Sequence, residues 1–237
     1  AGSRIDQRSC RTWQSSESQA CHPFGTQLEQ VMWQSLVAVL VAQLLHCTMA
    51  APEPKMDCGD GVTVCGVLAF ESGYGHGVYE HSVPSVHGLW PQVSPYGTSK
   101  CVRPRNISNT TAVYSCYMRV DEQFNKSLAF EAHEWSKHGV CAGVTDADDY
   151  FRQVCKMSEA PLQVLKDARA KGADFLAMQA ALRVAGFPVY YVDEEEDQFY
   201  LSACENEDGE WLLANVSDMS SKCGRTAGEL NRKFIAV

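Results

Sequence analysis

Four things are scarce or missing in this sequence, and each absence removes a class of protein. There is no excess of positive charge: 20 Lys and Arg face 29 Asp and Glu, a formal net charge of -9. That excludes a chain that binds nucleic acid through overall cationic attraction, although a local anion site responds to local potential and stays open. No internal repeat or long low-complexity segment is visible, which excludes a repeat architecture. The one long apolar run, Leu36 to Leu45, is too short to span a bilayer comfortably. No C-x-x-C pair occurs, which argues against a structural zinc cluster.

What is present fits one globular domain plus extras: 237 residues, 45% hydrophobic and 21% charged. The run at 36–45 has the length of a signal-peptide core, and small residues follow it up to Ala50. We expect a signal peptide at 32–50, cleaved near Ala50, with residues 1–31 an upstream extension and 51–237 the mature domain. No Lys or Arg lies between Met32 and the core, so a membrane anchor or a buried helix stays open for this stretch. Secretion also fits four Asn-x-Ser/Thr sequons, at Asn106, Asn109, Asn125 and Asn215. Without residues 1–50, which carry Cys10, Cys21 and Cys47, the 11 cysteines fall to 8. An even set in a secreted domain reads as a disulfide framework. No membrane association is expected once the leader is removed.

Periodicity gives a mixed pattern. Val62 to Phe70 is a continuous apolar run that reads as a core strand. Glu71 to Gly77 is a glycine-rich loop, Pro84 to Trp90 a short strand ending at Gly88, and 92–111 a loop. Phe124 to His138 reads as a helix with Phe124, Leu128 and Trp135 on its buried stripe and Gly139 as its C-terminal cap. Two helices are expected next, Asp148 to Lys156 and Glu159 to Lys171, the second capped by Ser158, then a third from Ala173 to Ala185. Glu194 to Asp197 is a solvated turn, and Phe199 to Cys204 and Trp211 to Val216 form a hairpin. The fold class is α+β: a mostly antiparallel sheet packed against several helices, stabilised by disulfides.

One stretch concentrates ionisable groups: EAHEWSKHGVC, residues 131–141. On a helix, His133 and Lys137 stand four residues apart, as do Glu134 and His138, so the four line one rim while Trp135 faces the core. A metalloprotease helix needs H-E-x-x-H. Here the second His comes one residue late and Lys137 takes the ligand position, so a metal site is disfavoured. An anion site fits better, with Lys137 and a protonated His offering charge and donors to a phosphate and Glu134 tuning a neighbouring cation. A second proton-transfer group is then needed, and SVHGLWPQ, residues 85–92, offers His87 beside Trp90. His76 and His81 read as surface residues.

HGLWP at 87–91 and HEWSKHGVC at 133–141, in this order, resemble the ribonuclease T2 family of secreted, usually acid-active endoribonucleases. The resemblance implies His87 and His138 as proton-transfer groups, with Glu134 and Lys137 stabilising a pentacoordinate phosphorane. It implies His133 as a phosphate contact, and Trp90 with Tyr96 as a base pocket. The family commonly has Asp or Asn where this chain has Gln92, which leaves base preference open. It implies a Cys101–Cys141 disulfide, with Cys58–Cys65, Cys204–Cys223 and Cys116–Cys155 as further pairs, although eight cysteines allow 105 pairings. The implied substrate is single-stranded RNA, cut without metal or cofactor by a monomer in an extracellular or acidic lumenal space. The chain departs from the family in Pro84-Ser85-Val86 before the first His and in Glu131, where an aromatic is common. Two rivals remain: a catalytically weak relative that acts as a binding or toxin-like protein, and a metal-dependent hydrolase.

Overall fold

The apolar run ending at Phe70 becomes the central strand of a five-stranded antiparallel sheet. The computed structural model describes residues 54–118 and 124–224. The expected leader at 32–50, the extension at 1–31 and their three cysteines lie outside the described residues. Strand β1 (Cys65–Glu71) pairs on one edge with β2 (Ser85–Pro91) and on the other with β4 (Gln198–Glu205). The far edge of β4 is shared by β3 (Val189–Asp193) and β5 (Trp211–Leu213). β1 begins three residues later than expected because residues 58–64 are taken up in the loop that the Cys58–Cys65 disulfide closes.

Every residue of β1 and β4 is buried, because both sheet faces are covered. This is why β1 reads as a continuous apolar run and not as an alternation. On one face Leu68, Phe70, Phe199 and Leu201 pack with Trp135, Tyr150, Phe151 and Leu165 from the helices. On the other, Val67, Ala69 and Tyr200 pack with Met56 and Met219. The helices are α1 (Phe124–Lys137), α2 (Ala147–Ala170), α3 (Phe175–Val184) and the short α4 (Met219–Cys223).

Several sequence expectations need correction. The two helices expected around Ser158 are one helix of 24 residues, with Pro161 inside it. Its cap is Asp146, whose side chain accepts from the Asp149 N–H at 2.8 Å, while the Ser158 hydroxyl bonds back to the Cys155 carbonyl. An interior proline costs about 3 kcal/mol; burial of Pro161, Leu162 and Leu165 beside it offsets that. The buried side of α1 is not Phe124 and Leu128 but Ser127, Glu131, Glu134 and Trp135. Phe124 is 58% exposed. Finally, β3 was not expected: it follows Pro188 directly and its residues are only half-buried, so it lacks the apolar run that marks β1. The acidic stretch after it is the β3–β4 turn, with Asp197 at φ 51°. β5 stops at Leu213, shorter than expected.

Four disulfides tie the layers: Cys58–Cys65, Cys101–Cys141, Cys116–Cys155 and Cys204–Cys223. These are the pairs that the resemblance implied. Among the described residues no helix is long and apolar enough to cross a membrane.

Candidate active site

β2 is the sheet's outer strand, and it is irregular at His87. Ala69 pairs with Gly88 but Phe70 pairs with Val86, so His87 is an extra residue bulged out of the ladder. A bulge re-aims a side chain and bends its strand. Here it lets both Val86 and Leu89, three residues apart, reach the helix-covered core. The strand does not end at Gly88, as expected; it runs on to Pro91. Its outer edge is held by the buried Tyr150 hydroxyl of α2, which accepts from the Leu89 N–H at 3.1 Å and donates to the Leu89 carbonyl at 2.8 Å.

α1 meets β2 at Gly88. Glu134 is fully buried, and a Cβ on residue 88 would stand 2.0 Å from its Oε2. Glycine is required here for close approach. The Trp90 indole N–H donates to Glu134 Oε2 at 2.8 Å, and the His87 Nε2 lies 3.5 Å from Glu134 Oε1. Gly139 is likewise a close-approach residue and not the left-handed cap expected: it opens a short 3₁₀ turn (Gly139–Cys141), and a Cβ there would meet the Trp135 ring at 2.4 Å. α1 therefore stops at Lys137, and His138 sits just past it in a non-helical conformation.

This turn stacks the His138 ring on Trp90, with centroids 4.9 Å apart. The same indole meets His87 edge-on at 4.7 Å. One tryptophan thus contacts and orients both histidines, and its own tilt is fixed by Glu134. On the far side of His87, Nδ1 donates to Gln198 Oε1 at 3.0 Å and lies 3.5 Å from Glu71 Oε1. Burial opposes charge on His87, but the hydrogen bond and field of Glu134, with Glu71 and Gln198, outweigh it and raise its pKa above the ordinary 6.5. His138 moves the other way. Burial, with repulsion from His87, His133 and Lys137, outweighs Glu134 and lowers its pKa.

Beside His138 opens a cavity of about 340 Å³ lined by Trp90, Gln92, Val93, Tyr96, Lys137 and His138, among others; His87 stands behind Trp90 and does not line it. Gln92 is nearly buried, while Tyr96 stands 59% exposed at the rim. His133 is exposed one turn before Lys137, within electrostatic reach of His138. The structure thus gathers all eight residues that the sequence singled out.

The ribonuclease T2 family model matches residues 63–174, which include both histidine motifs. This segment belongs to the ribonuclease T2 family. That membership supports an RNA-cleaving endoribonuclease. No curated protein matches the chain. Four residues that hold this site lie outside the motifs and carry little signal in the sequence. Glu71 reads as the start of a loop, Gln198 hides at the end of an acidic run, and Tyr150 carries no local signal. His81, expected on the surface, has its ring buried against Glu71, because residues 72–83 fold back over the sheet end. His76 is exposed, as expected.

Proposed function

We propose that the mature chain is a secreted endoribonuclease that cuts single-stranded RNA by metal-independent transphosphorylation. The observation that carries the reading is the pair of histidines held against one indole, His138 stacked on Trp90 and His87 edge-on to it. His138, held toward its neutral form, takes the proton of the 2′-hydroxyl. The oxygen attacks phosphorus, the bond to the 5′-oxygen breaks, and His87, held toward its charged form, delivers a proton to that leaving oxygen. The products are a 2′,3′-cyclic phosphate and a free 5′-hydroxyl, and a water can later open the cycle to a 3′-phosphate. Lys137 and His133 supply positive charge to the phosphate, and with histidinium they do the work a metal would do. Glu134 acts through His87 and Trp90, and the cavity at Trp90, Gln92 and Tyr96 takes a base by stacking.

The two opposite pKa shifts bear on pH. Activity needs His138 deprotonated and His87 protonated, so the acid limb set by His138 lies below the ordinary imidazole value and the basic limb set by His87 lies above it, in a bell. We expect a mildly acidic optimum. Secretion, an oxidising or acidic lumen, a monomeric state and glycans at Asn106, Asn109, Asn125 and Asn215 belong to the same reading. It is supported by the four disulfides and by the exposure of all four asparagines.

The test is cleavage of a labelled single-stranded RNA by residues 51–237, made in a secretory host, at pH 5 with EDTA. Cyclic-phosphate ends are expected, with losses of about 10²–10⁴-fold in His87→Ala and in His138→Ala. Inhibition by EDTA, or an optimum above pH 8, would contradict the mechanism. No cleavage by the folded protein would favour the binding-protein reading.

A further inference from the structure

Behind His87 lies a second set of buried polar groups that the motifs do not include. Glu71, the last residue of β1, is 1% exposed. Its Oε2 accepts from the Ser85 hydroxyl at 2.9 Å and meets His81 Nε2 at 2.9 Å. Its Oε1 faces His87 Nδ1 at 3.5 Å. The other ring nitrogen of His81 bonds the Val83 carbonyl. The loop that carries His81 is itself anchored. Arg169, near the end of α2, donates to the Ser72 carbonyl at 2.9 Å and to the His81 carbonyl at 3.4 Å, and its guanidinium lies 3.5 Å over the Tyr74 ring. The Tyr74 hydroxyl reaches the Ala173 carbonyl at 2.8 Å.

A carboxylate without water needs partners, and three groups converge on this one. His81 and Ser85 hold one oxygen, which leaves the other turned toward the back of the proton-transfer imidazole.

We propose that Glu71 is a positioning residue for His87, and that His81 and Ser85 hold its carboxylate there. Its negative charge at Nδ1 keeps the proton on His87 and fixes the ring so that Nε2 is the atom that delivers it. This rests on the reading of His87 as the proton donor. The charged and titratable groups facing His87 are Glu71 from β1, Glu134 from α1, Tyr79 from the 3₁₀ turn 77–79 and His138 beyond α1. Gln198 of β4 adds a neutral acceptor. Both carboxylates favour the charged ring, with Gln198 assisting, and the carboxylates stand at opposite nitrogens. Glu134 is also bound to the Trp90 indole, whereas Glu71 does not line the cavity. The division is physical: Glu134 builds the cleft, and Glu71 sets the basicity of the donor.

The test uses the mature chain and its Glu71→Gln and Glu71→Asp variants, with two readouts. The first is the His87 ring titration followed by NMR, which needs no activity. In Glu71→Gln the midpoint is expected to fall by about 0.5–1 unit, with a smaller fall in Glu71→Asp, whose charge is kept but withdrawn by a methylene. The second is the pH profile of RNA cleavage. The basic limb should move down by the same amount, with kcat reduced several-fold at pH 7.5, KM unchanged, and rates within twofold of wild type at pH 5. A His87 midpoint within 0.2 unit of wild type in both variants overturns the inference; so does an activity deficit equal at pH 5 and pH 7.5, which a merely structural role would give. A shifted midpoint in a chain that cuts no RNA supports the coupling and sinks the ribonuclease reading instead.

Discussion

Glu131 shows how a residue that breaks a sequence pattern can be explained by one bond. It is fully buried on α1, and its Oε1 accepts from the Tyr114 N–H at 2.7 Å, so it fastens the loop before α1 to that helix. Its Oε2 has no hydrogen-bond partner. Burial, only partly countered by the Tyr114 bond, pushes its pKa from 4.5 up to about 7. The folded protein therefore holds a proton that the unfolded chain releases between those values. The stability this contributes is complete below about pH 4.5 and is lost as pH rises through about 7. Glu131→Gln should accordingly gain thermal stability over wild type at pH 8 by a few degrees, at about 2–4 °C per kcal/mol. The gain should vanish by pH 4.5, and paired melting curves at the two pH values check it. The two histidines, Glu134 and Lys137 were legible in the sequence because they sit in two short contiguous motifs, although His138 lies just past α1 and Glu134 turns inward from it. Glu71, His81 and Gln198 were not: pairing of β1 with β2 and β4 brings Glu71 and Gln198 to His87, Gln198 across 111 positions, and His81 arrives through its bond to Glu71.

At the scale of elements, most strands and helices were legible from apolar runs and cap residues, and the errors share a cause. Pro161 and Ser158 look like a helix start locally, yet tertiary packing carries α2 straight through them. β3 has no apolar signature because it is half-covered, and pairing with β4 makes it a strand. The bulge at His87 was invisible because it is a property of register between two strands. α2 matters for function through one hydroxyl: Tyr150 satisfies both backbone groups of Leu89 on the open edge of β2. Tyr150→Phe leaves a buried N–H and C=O without that partner. We expect a loss of about 1–3 kcal/mol in urea unfolding. The variant should also show a lower kcat, as the strand carrying His87 and Trp90 loosens. An unchanged unfolding midpoint would show that water replaces the hydroxyl.

For the whole molecule, the disulfides divide the labour. Cys101–Cys141 joins the loop beside the cavity to the turn that follows His138, and Cys141 itself lines the cavity. In the chain-entropy account, a loop of 40 residues closed by such a bond contributes about 4 kcal/mol. The double variant Cys101→Ser with Cys141→Ser should lose about 2–4 kcal/mol of stability. It should also raise KM for RNA, as the wall bearing Tyr96 and His138 loses its tie. Equilibrium unfolding and steady-state kinetics on the one variant check both effects.

The order of strands has a consequence for how this protein is made. β1 sits between β2 and β4, and its pairing Leu68↔Leu201 spans 133 positions. At ribosomal speeds of about 5–20 residues per second, β4 emerges on the order of ten seconds after β1. For that interval β1 has a partner on one edge only, and the apolar side chains meant for a closed core have half a sheet to lean on. Three of the four cross-links, Cys58–Cys65, Cys101–Cys141 and Cys116–Cys155, have both sulfurs in the nascent chain by then. The histidine-bearing half can thus be laced shut before the strand that completes its centre exists, and Cys204–Cys223 is left as the final knot.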